Sequence, residues 1–237
     1  MNIPGSVVFV TGARRGLGLA FAKVALALGA SKVYAGMRDL SGFDVPGLIP
    51  VQIDVTDDAS VVRAASRCAD TTVLVNNAGI GEVHGGALDT GMIELTRRMM
   101  ETNCYGIVRA SQAFAPVLAA NGGGAIVNVL SDVTWLSVPM LAAYAASKSA
   151  AWSVTNTLRL EVKGSNTQVV AVHVGFIDTD LVRAFDVQKS DPLDVARIVY
   201  AGVQAGELEV LVDEKTRYIK STLSAPDAVY FNPPAAA

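Results

Sequence analysis

Short β-branched runs alternate with amphipathic helical stretches along nearly the whole 237-residue chain, and that alternation leaves few folds open. Ser6–Val10, Lys32–Met37, Ile49–Ile53, Val73–Val75, Ala125–Leu130, Gln168–Val174 and Glu209–Val212 read as strands. Between them, Gly16–Gly29 carries Leu17, Ala20, Phe21, Val24 and Leu28 on one stripe. A helix is expected from Thr56, with an Asp-Asp pair in its first turn. A long helical stretch covers Met92–Ala120, with Pro116 expected to bend or break it, and another helix covers Ala142–Val162. A further helix opens at Pro192, while Asp39–Gly47 reads as a loop. Strand–helix alternation implies parallel βαβ units with right-handed crossovers. The pattern predicts an α/β class and a single domain over residues 1–237, with an irregular tail from about residue 225.

Composition agrees with that class and excludes others. Half of the chain is hydrophobic (51%) and 17% is charged, as a sheet covered on both faces requires. No apolar run reaches the roughly 18 residues of a membrane span, and no signal peptide is expected. The net charge of −3 comes without a basic patch, so nucleic acid is not an expected partner. Cys68 and Cys104 have no metal or redox spacing and read as buried apolar residues of a cytoplasmic protein. His84 reads as a surface-loop residue and His173 as a core histidine, so no metal site is expected. No G-x-S-x-G elbow supports a hydrolase.

The first strand runs into TGARRGLG. A glycine loop between a strand and a helix is the context of a dinucleotide site. Gly12 permits the tight turn, Gly16 lets the backbone approach a pyrophosphate at the helix N-terminus, and Gly18 lets the helix lie close to the sheet. The spacing is G-x-x-x-G-x-G rather than the generic fingerprint. The second strand ends in Met37 and Arg38, where an NAD site would carry an acidic residue. Arg15 and Arg38 converging there would suit a 2′-phosphate, which guanidinium binds bidentately, so NADP(H) is the expected cofactor. Asp39 is expected to cap the next turn.

Tyr144 and Lys148 are four residues apart and share a helix face. A phenol has an ordinary pKa of about 10. A neighbouring ammonium favours the phenolate, giving a tyrosine able to donate and accept a proton in carbonyl or alcohol chemistry.

From Ser6 to about Val212, these residues in this order resemble a single-domain short-chain dehydrogenase/reductase. Thr11–Gly18 are similar to the family's cofactor loop, and Asn76, Asn77, Ala78 and Gly79 to its N-N-A-G segment. Asn103 matches the helix asparagine of the family's tetrad, Ser131 lies 13 residues before Tyr144, and Tyr144 and Lys148 fit Y-x-x-x-K. The resemblance implies a Rossmann-type, doubly wound parallel sheet of about seven strands with helices on both faces. It implies that Tyr144 donates the proton, Lys148 lowers its pKa and holds the nicotinamide ribose, Ser131 stabilises the developing oxyanion, and Asn103 holds a relay water. Leu17, Val55, Ala78 and Gly79 are implied at the cofactor, with Asp54 at the adenine, Asn77 at the adenosine ribose, and Ile177 and Thr179 at the carboxamide. Two departures stand out: Val174-Gly175 replaces the usual Pro-Gly, and Leu130 precedes Ser131 where a second serine is common.

Ser131, Val133, Thr134, Trp135, Val138, Val174, Phe176, Leu181 and Phe185 are expected to form an apolar substrate pocket, its mouth left open by the short Leu181–Asp191 segment. The leading expectation is an NADPH-dependent carbonyl reductase or secondary alcohol dehydrogenase acting on a hydrophobic ketone or aldehyde. The alternatives are an NAD-dependent alcohol or hydroxysteroid dehydrogenase and a non-catalytic, cofactor-binding regulatory protein. Ala- and Met-rich faces on the two long helices, with the pairing of relatives, suggest a homodimer or homotetramer.

Overall fold

The computed structural model describes residues 1–180 and 186–233. Seven parallel strands form one sheet in the order β3-β2-β1-β4-β5-β6-β7. They are β1 (Val7–Thr11), β2 (Lys32–Met37), β3 (Ile49–Gln52), β4 (Val73–Asn76), β5 (Gly124–Val129), β6 (Thr167–His173) and β7 (Glu209–Leu211). Alternate side chains serve opposite faces. Val8, Val10, Val75, Val127 and Val172 pack under α1 (Gly16–Ala27) and α6 (Pro192–Ala205). There the Phe21 ring meets Tyr200 edge-on at 5.6 Å, and the Tyr200 hydroxyl donates to the Phe21 carbonyl at 3.1 Å. Phe9, Leu74, Ile126 and Val169 pack on the other face, with Ala64 of α2 (Asp58–Arg67), Phe114 of α4 (Gly106–Ala120) and Leu158 of α5 (Ala142–Glu161). Among the described residues no helix is long and apolar enough to cross a membrane.

Three local expectations need correction. The stretch Met92–Ala120 is not one helix bent at Pro116. It is α3 (Met92–Met100), a π-helical turn (Glu101–Tyr105) and α4. Pro116 continues α4 because it lies on the exposed side, where water can satisfy the freed carbonyl of exposed Gln112. The π turn instead carries Asn103, whose inward amide is tied to neighbouring elements. Second, α2 starts at Asp58, since Asp57 caps it by accepting from Ala59 N at 2.9 Å. Thr56 belongs to the preceding turn, held by Asp54. Third, α7 (Glu214–Thr222) was missed; Asp213 caps it by accepting from the Thr216 N–H and hydroxyl, both at 2.8 Å.

Below the site runs a buried polar ladder. The Asn76 amide donates to Asn128 Oδ1 at 2.9 Å and to Ser111 Oγ of α4 at 3.3 Å, and the Asn128 amide donates to Thr155 Oγ1 of α5 at 2.9 Å. It ties β4 and β5 to α4 and to α5, the helix that carries Tyr144 and Lys148. Asn128→Ala removes one hydrogen bond from Asn76 and one from Thr155, which keep Ser111 Oγ and the Ala151 carbonyl respectively. At about 0.5–1.5 kcal/mol per lost bond, a loss of about 1–3 kcal/mol is expected in urea unfolding.

Candidate active site

At the carboxyl ends of β1 and β4 the strand order reverses, and open α/β sheets place their ligand crevice at such a point. One cleft of about 1090 Å3 opens there. The loop after β1 is shaped by glycines. Gly12 and Gly16 have φ of +68° and +56°, in the left-handed region. A Cβ on Gly18 would fall 2.3 Å from the Gly12 carbonyl oxygen and 2.5 Å from Asn77 Nδ2, so helix and loop approach closely. No acidic side chain occupies the first turn of α1, leaving its N-terminal N–H groups and dipole suited to an anion.

The two loops are pinned together. Thr11 Oγ1 accepts from the N–H groups of Asn77 and Ala78, both at 3.0 Å, and the Asn77 amide donates to the carbonyls of Thr11 at 3.0 Å and Gly12 at 3.3 Å. Asn77 thus lines the cleft, but its side-chain amide holds the glycine loop. The next link is Asn103. Its Oδ1 accepts from Ile80 N at 2.8 Å, and its Nδ2 donates to Ile80 O at 2.9 Å and Ser147 Oγ at 3.0 Å. Asn103 is fully buried and stands behind the cleft wall as a brace between the β4 loop and α5.

Of the expected cofactor residues, Gly12, Arg15, Gly16, Leu17, Gly18 and Arg38 line the cleft, as do Val55, Ala78, Gly79, Ile177 and Thr179. Asp54 does not. Its Oδ1 accepts from the Thr56 N–H at 2.9 Å and hydroxyl at 2.7 Å, because a short acidic side chain two residues before an exposed N–H closes an Asx turn. Arg15 does not converge on Arg38 but pairs with Asp180, across the cleft. Arg14, unassigned in the sequence, lies beside Asp39 instead and donates to the carbonyls of Asp39 and Ser41 at 2.6 and 2.9 Å. The Asp39 carboxylate is taken by the Ser41 N–H and hydroxyl at 2.9 and 2.7 Å, and these bonds hold it below its ordinary pKa.

Ser131, Tyr144 and Lys148 meet at the inner wall of this cleft. The backbone of Ser131 is fixed from behind by His173, whose Nδ1 donates to the Ser131 carbonyl at 3.1 Å. His173 is fully buried, and burial lowers its pKa to about 4, so the ring is neutral. Lys148 Nζ donates to the Val129 carbonyl at 2.9 Å and lies 5.5 Å from the Tyr144 ring centroid. Burial lowers this ammonium to about 8. The expected depression of the phenol by Lys148 is not what dominates. Tyr144 is pushed above 10 by desolvation of its hydroxyl and by the Asp132 carboxylate, and the Ser131 hydroxyl pulls it part of the way back.

Around this centre, Val133, Val138 and Phe176 line the cleft, joined by Leu136, Met140 and Leu141. Trp135 does not. Its ring stacks on His173 at 3.9 Å and meets Trp152 edge-on at 5.9 Å, because a flat apolar surface beside a buried imidazole is better placed in the core than in the cleft. Leu181 and Phe185 lie outside the described residues. Asp132 and Lys215 also line the cleft, and no sequence pattern singled them out. His84 is more than a surface residue: its Nε2 accepts from Ala143 N at 3.2 Å, at the start of α5. At the proline departure, Gly175 N is held by Asp213 Oδ2 at 2.8 Å.

Comparison with known proteins agrees with this arrangement. Residues 6–190 match the family model of short chain dehydrogenases. The chain is similar to dehydrogenase/reductase SDR family member 7B of Bos taurus, 32% identical over 197 residues, 76% of this chain and 60% of that protein. The chain thus spans about 60% of the length of these mammalian relatives. It is also similar to the short chain dehydrogenase pigC of Monascus ruber, 31% identical over 251 residues, covering 96% of this chain and 82% of the relative. Its fold superposes on a short chain dehydrogenase from Burkholderia cenocepacia J2315, solved in complex with NADP, with a TM-score of 0.90, 38% identity and 95% of each chain covered. With the serine, tyrosine and lysine on one wall of a glycine-cradled cleft, this chain belongs to the short-chain dehydrogenase/reductase family.

Proposed function

We propose that the protein is an NADPH-dependent carbonyl reductase, or secondary alcohol dehydrogenase in reverse, acting on a hydrophobic ketone or aldehyde. The observation that carries this reading is the meeting of Ser131, Tyr144 and Lys148 in the cleft headed by the glycine loop. That loop fits a nicotinamide dinucleotide, since the Gly12–Gly18 approach and the acid-free N-terminus of α1 leave a close, positive cradle for a pyrophosphate. When bound, such a cofactor supplies or accepts hydride at the substrate carbon. Tyr144 then gives its proton to the substrate oxygen, and Ser131 Oγ stabilises charge developing there. Lys148, buried in the cleft wall, would hold the nicotinamide ribose, and Asn103 fixes Ser147 and so the turn of α5 that presents Lys148. The apolar wall of Val133, Leu136, Val138, Leu141 and Phe176 favours a hydrophobic substrate over a sugar.

The preference for NADPH rests on charge. Two guanidiniums, Arg14 and Arg38, line the cleft beside the end of β2, while the nearby Asp39 carboxylate is spent on the Ser41 turn and is poorly placed for a ribose 2′-hydroxyl. The NADP complex of the Burkholderia relative supports the same choice. A cytoplasmic location fits the two buried, unpaired cysteines. A homodimer or homotetramer is supported by an apolar groove on α3 and the π turn, lined by Met92, Ile93, Met100 and Tyr105, with Ile93 67% exposed.

The first test is oxidation of NADPH and NADH across a panel of hydrophobic ketones and aldehydes. Turnover with NADPH that falls by about 100- to 10,000-fold in Tyr144→Phe is expected, the range a general acid contributes. Faster turnover with NADH would promote the NAD-dependent dehydrogenase, and tight binding of cofactor without turnover would promote the non-catalytic reading. Arg38→Asp is expected to raise KM for NADPH by about tenfold or more relative to NADH, the worth of one charge-assisted bond. Ile93→Glu is expected to lower the mass measured by light scattering if the groove pairs two copies.

A further inference from the structure

Asp132 is a buried carboxylate in the cleft, 4% exposed, immediately after Ser131. It does not behave as a structural aspartate. The carboxylates of Asp57, Asp191 and Asp213 cap helices by accepting backbone N–H groups. Among the described residues, Asp132 accepts none; its one hydrogen bond comes from Ser131 Oγ, which donates to Oδ1 at 3.1 Å. Its Oδ2 lies 2.9 Å from Lys215 Nζ but is not aligned with it for a hydrogen bond. Lys215, on α7, is half exposed and lies 5.7 Å from the Phe176 ring centroid. A carboxylate is costly to bury with a single, solvated counter-ion, so this one invites a functional explanation.

The other charges around the pair are committed elsewhere. On α5, Lys148 is bonded to Val129 O. On β6, neutral His173 holds the Ser131 carbonyl. Asp213 is bonded to Gly175 N and the Thr216 turn. On β7 and α7, Glu209 and Lys220 pair with each other, and Lys220 lies 4.5 Å from the Trp135 ring centroid. Asp132 therefore supplies the negative charge bonded to Ser131 in the cleft wall that Tyr144 shares. The single Ser131 hydroxyl proton is drawn to Asp132 Oδ1 at 3.1 Å, with the Val174 carbonyl at 3.4 Å the weaker acceptor, and to that extent it is withheld from a Tyr144 phenolate.

We propose that Asp132, acting through Ser131, is a positioning residue that keeps Tyr144 protonated, so that reduction persists to alkaline pH and oxidation reaches its full rate only there. The inference rests on Tyr144 being the proton donor. In reduction, the carbonyl carbon gains hydride from the nicotinamide and the oxygen gains the proton of Tyr144, leaving a phenolate. In oxidation the phenolate takes the alcohol proton back as hydride leaves the carbon. A negative charge beside the hydroxyl disfavours the phenolate, which agrees with the upward displacement of Tyr144 by burial and by Asp132.

The test follows Tyr144 directly, by NMR of protein labelled with carbon-13 at the tyrosine Cζ, its resonance identified by loss in Tyr144→Phe. Asp132→Asn is expected to ionise Tyr144 at a pH lower than wild type by on the order of one unit, tenfold in acidity. Where a ketone of the panel turns over, the alkaline limb of its reduction moves down by the same amount. Asp132→Ser keeps a hydrogen-bond partner for Ser131 and carries the test if the asparagine variant does not fold. Tyr144 that ionises at the same pH in wild type and in both neutral variants overturns the proposal. Full activity in Tyr144→Phe would instead overturn the assignment of the proton donor.

Discussion

The whole site hangs from the junction of β1 and β4. Parallel strands end there without a hairpin to join them, so something must hold the two following loops together at a fixed separation. Thr11 and Asn77 do this: one hydroxyl accepts two backbone N–H groups and one amide donates to two carbonyls. Because these bonds satisfy backbone groups that would otherwise be orphaned at the carboxyl ends of two central strands, losing one exposes several. The glycine loop stands on one side of the junction. On the other, the chain runs through Gly79 to Ile80, then through Asn103 to Ser147 and α5. The cradle and the helix carrying Tyr144 and Lys148 are thus set relative to each other by a continuous run of hydrogen bonds.

Electrostatically the cleft is divided. Arg14 and Arg38 lie at the end nearest β2, and the local acids are spent on turns, Asp39 on Ser41 and Asp54 on Thr56. At the catalytic wall the pattern reverses: Asp132 is buried and faces the site, with only a half-exposed lysine near it. Behind that wall, His173, Trp135 and Trp152 form a stacked apolar backing, into which Ser131 is fixed by its carbonyl.

Much of this was legible in the sequence because it is local. Strand and helix positions follow from side-chain period, and β2, α5 and the start of α6 fall within a residue of where the pattern puts them. Gly12, Gly16 and Gly18 were identified by their place after a strand, since backbone sterics depend on neighbours in the chain. Tyr144 and Lys148 share a face because helix geometry demands it. The misses share another cause. Trp135 left the cleft because a distant histidine offered it a stacking surface; Asp54 left it because Thr56 captured its carboxylate; Arg15 turned to Asp180; and the π turn at Asn103 took the break expected at Pro116.

By itself, then, the sequence determined the alternating parallel architecture, the glycine loop and the identity of the serine, tyrosine and lysine, all of which are written in spacing along the chain. The tertiary structure decided which polar groups face the cleft and which are spent holding it: Asn77 and Asn103 as braces, Asp39 and Asp54 as turn closures, Asp132 beside Ser131 and Tyr144. The physical reason is competition. A polar side chain goes to whichever partner relieves its desolvation best, whether two residues on, as for Asp39 and Asp54, or 66 residues away, as for Asn77, and which one wins is known only once the chain is folded.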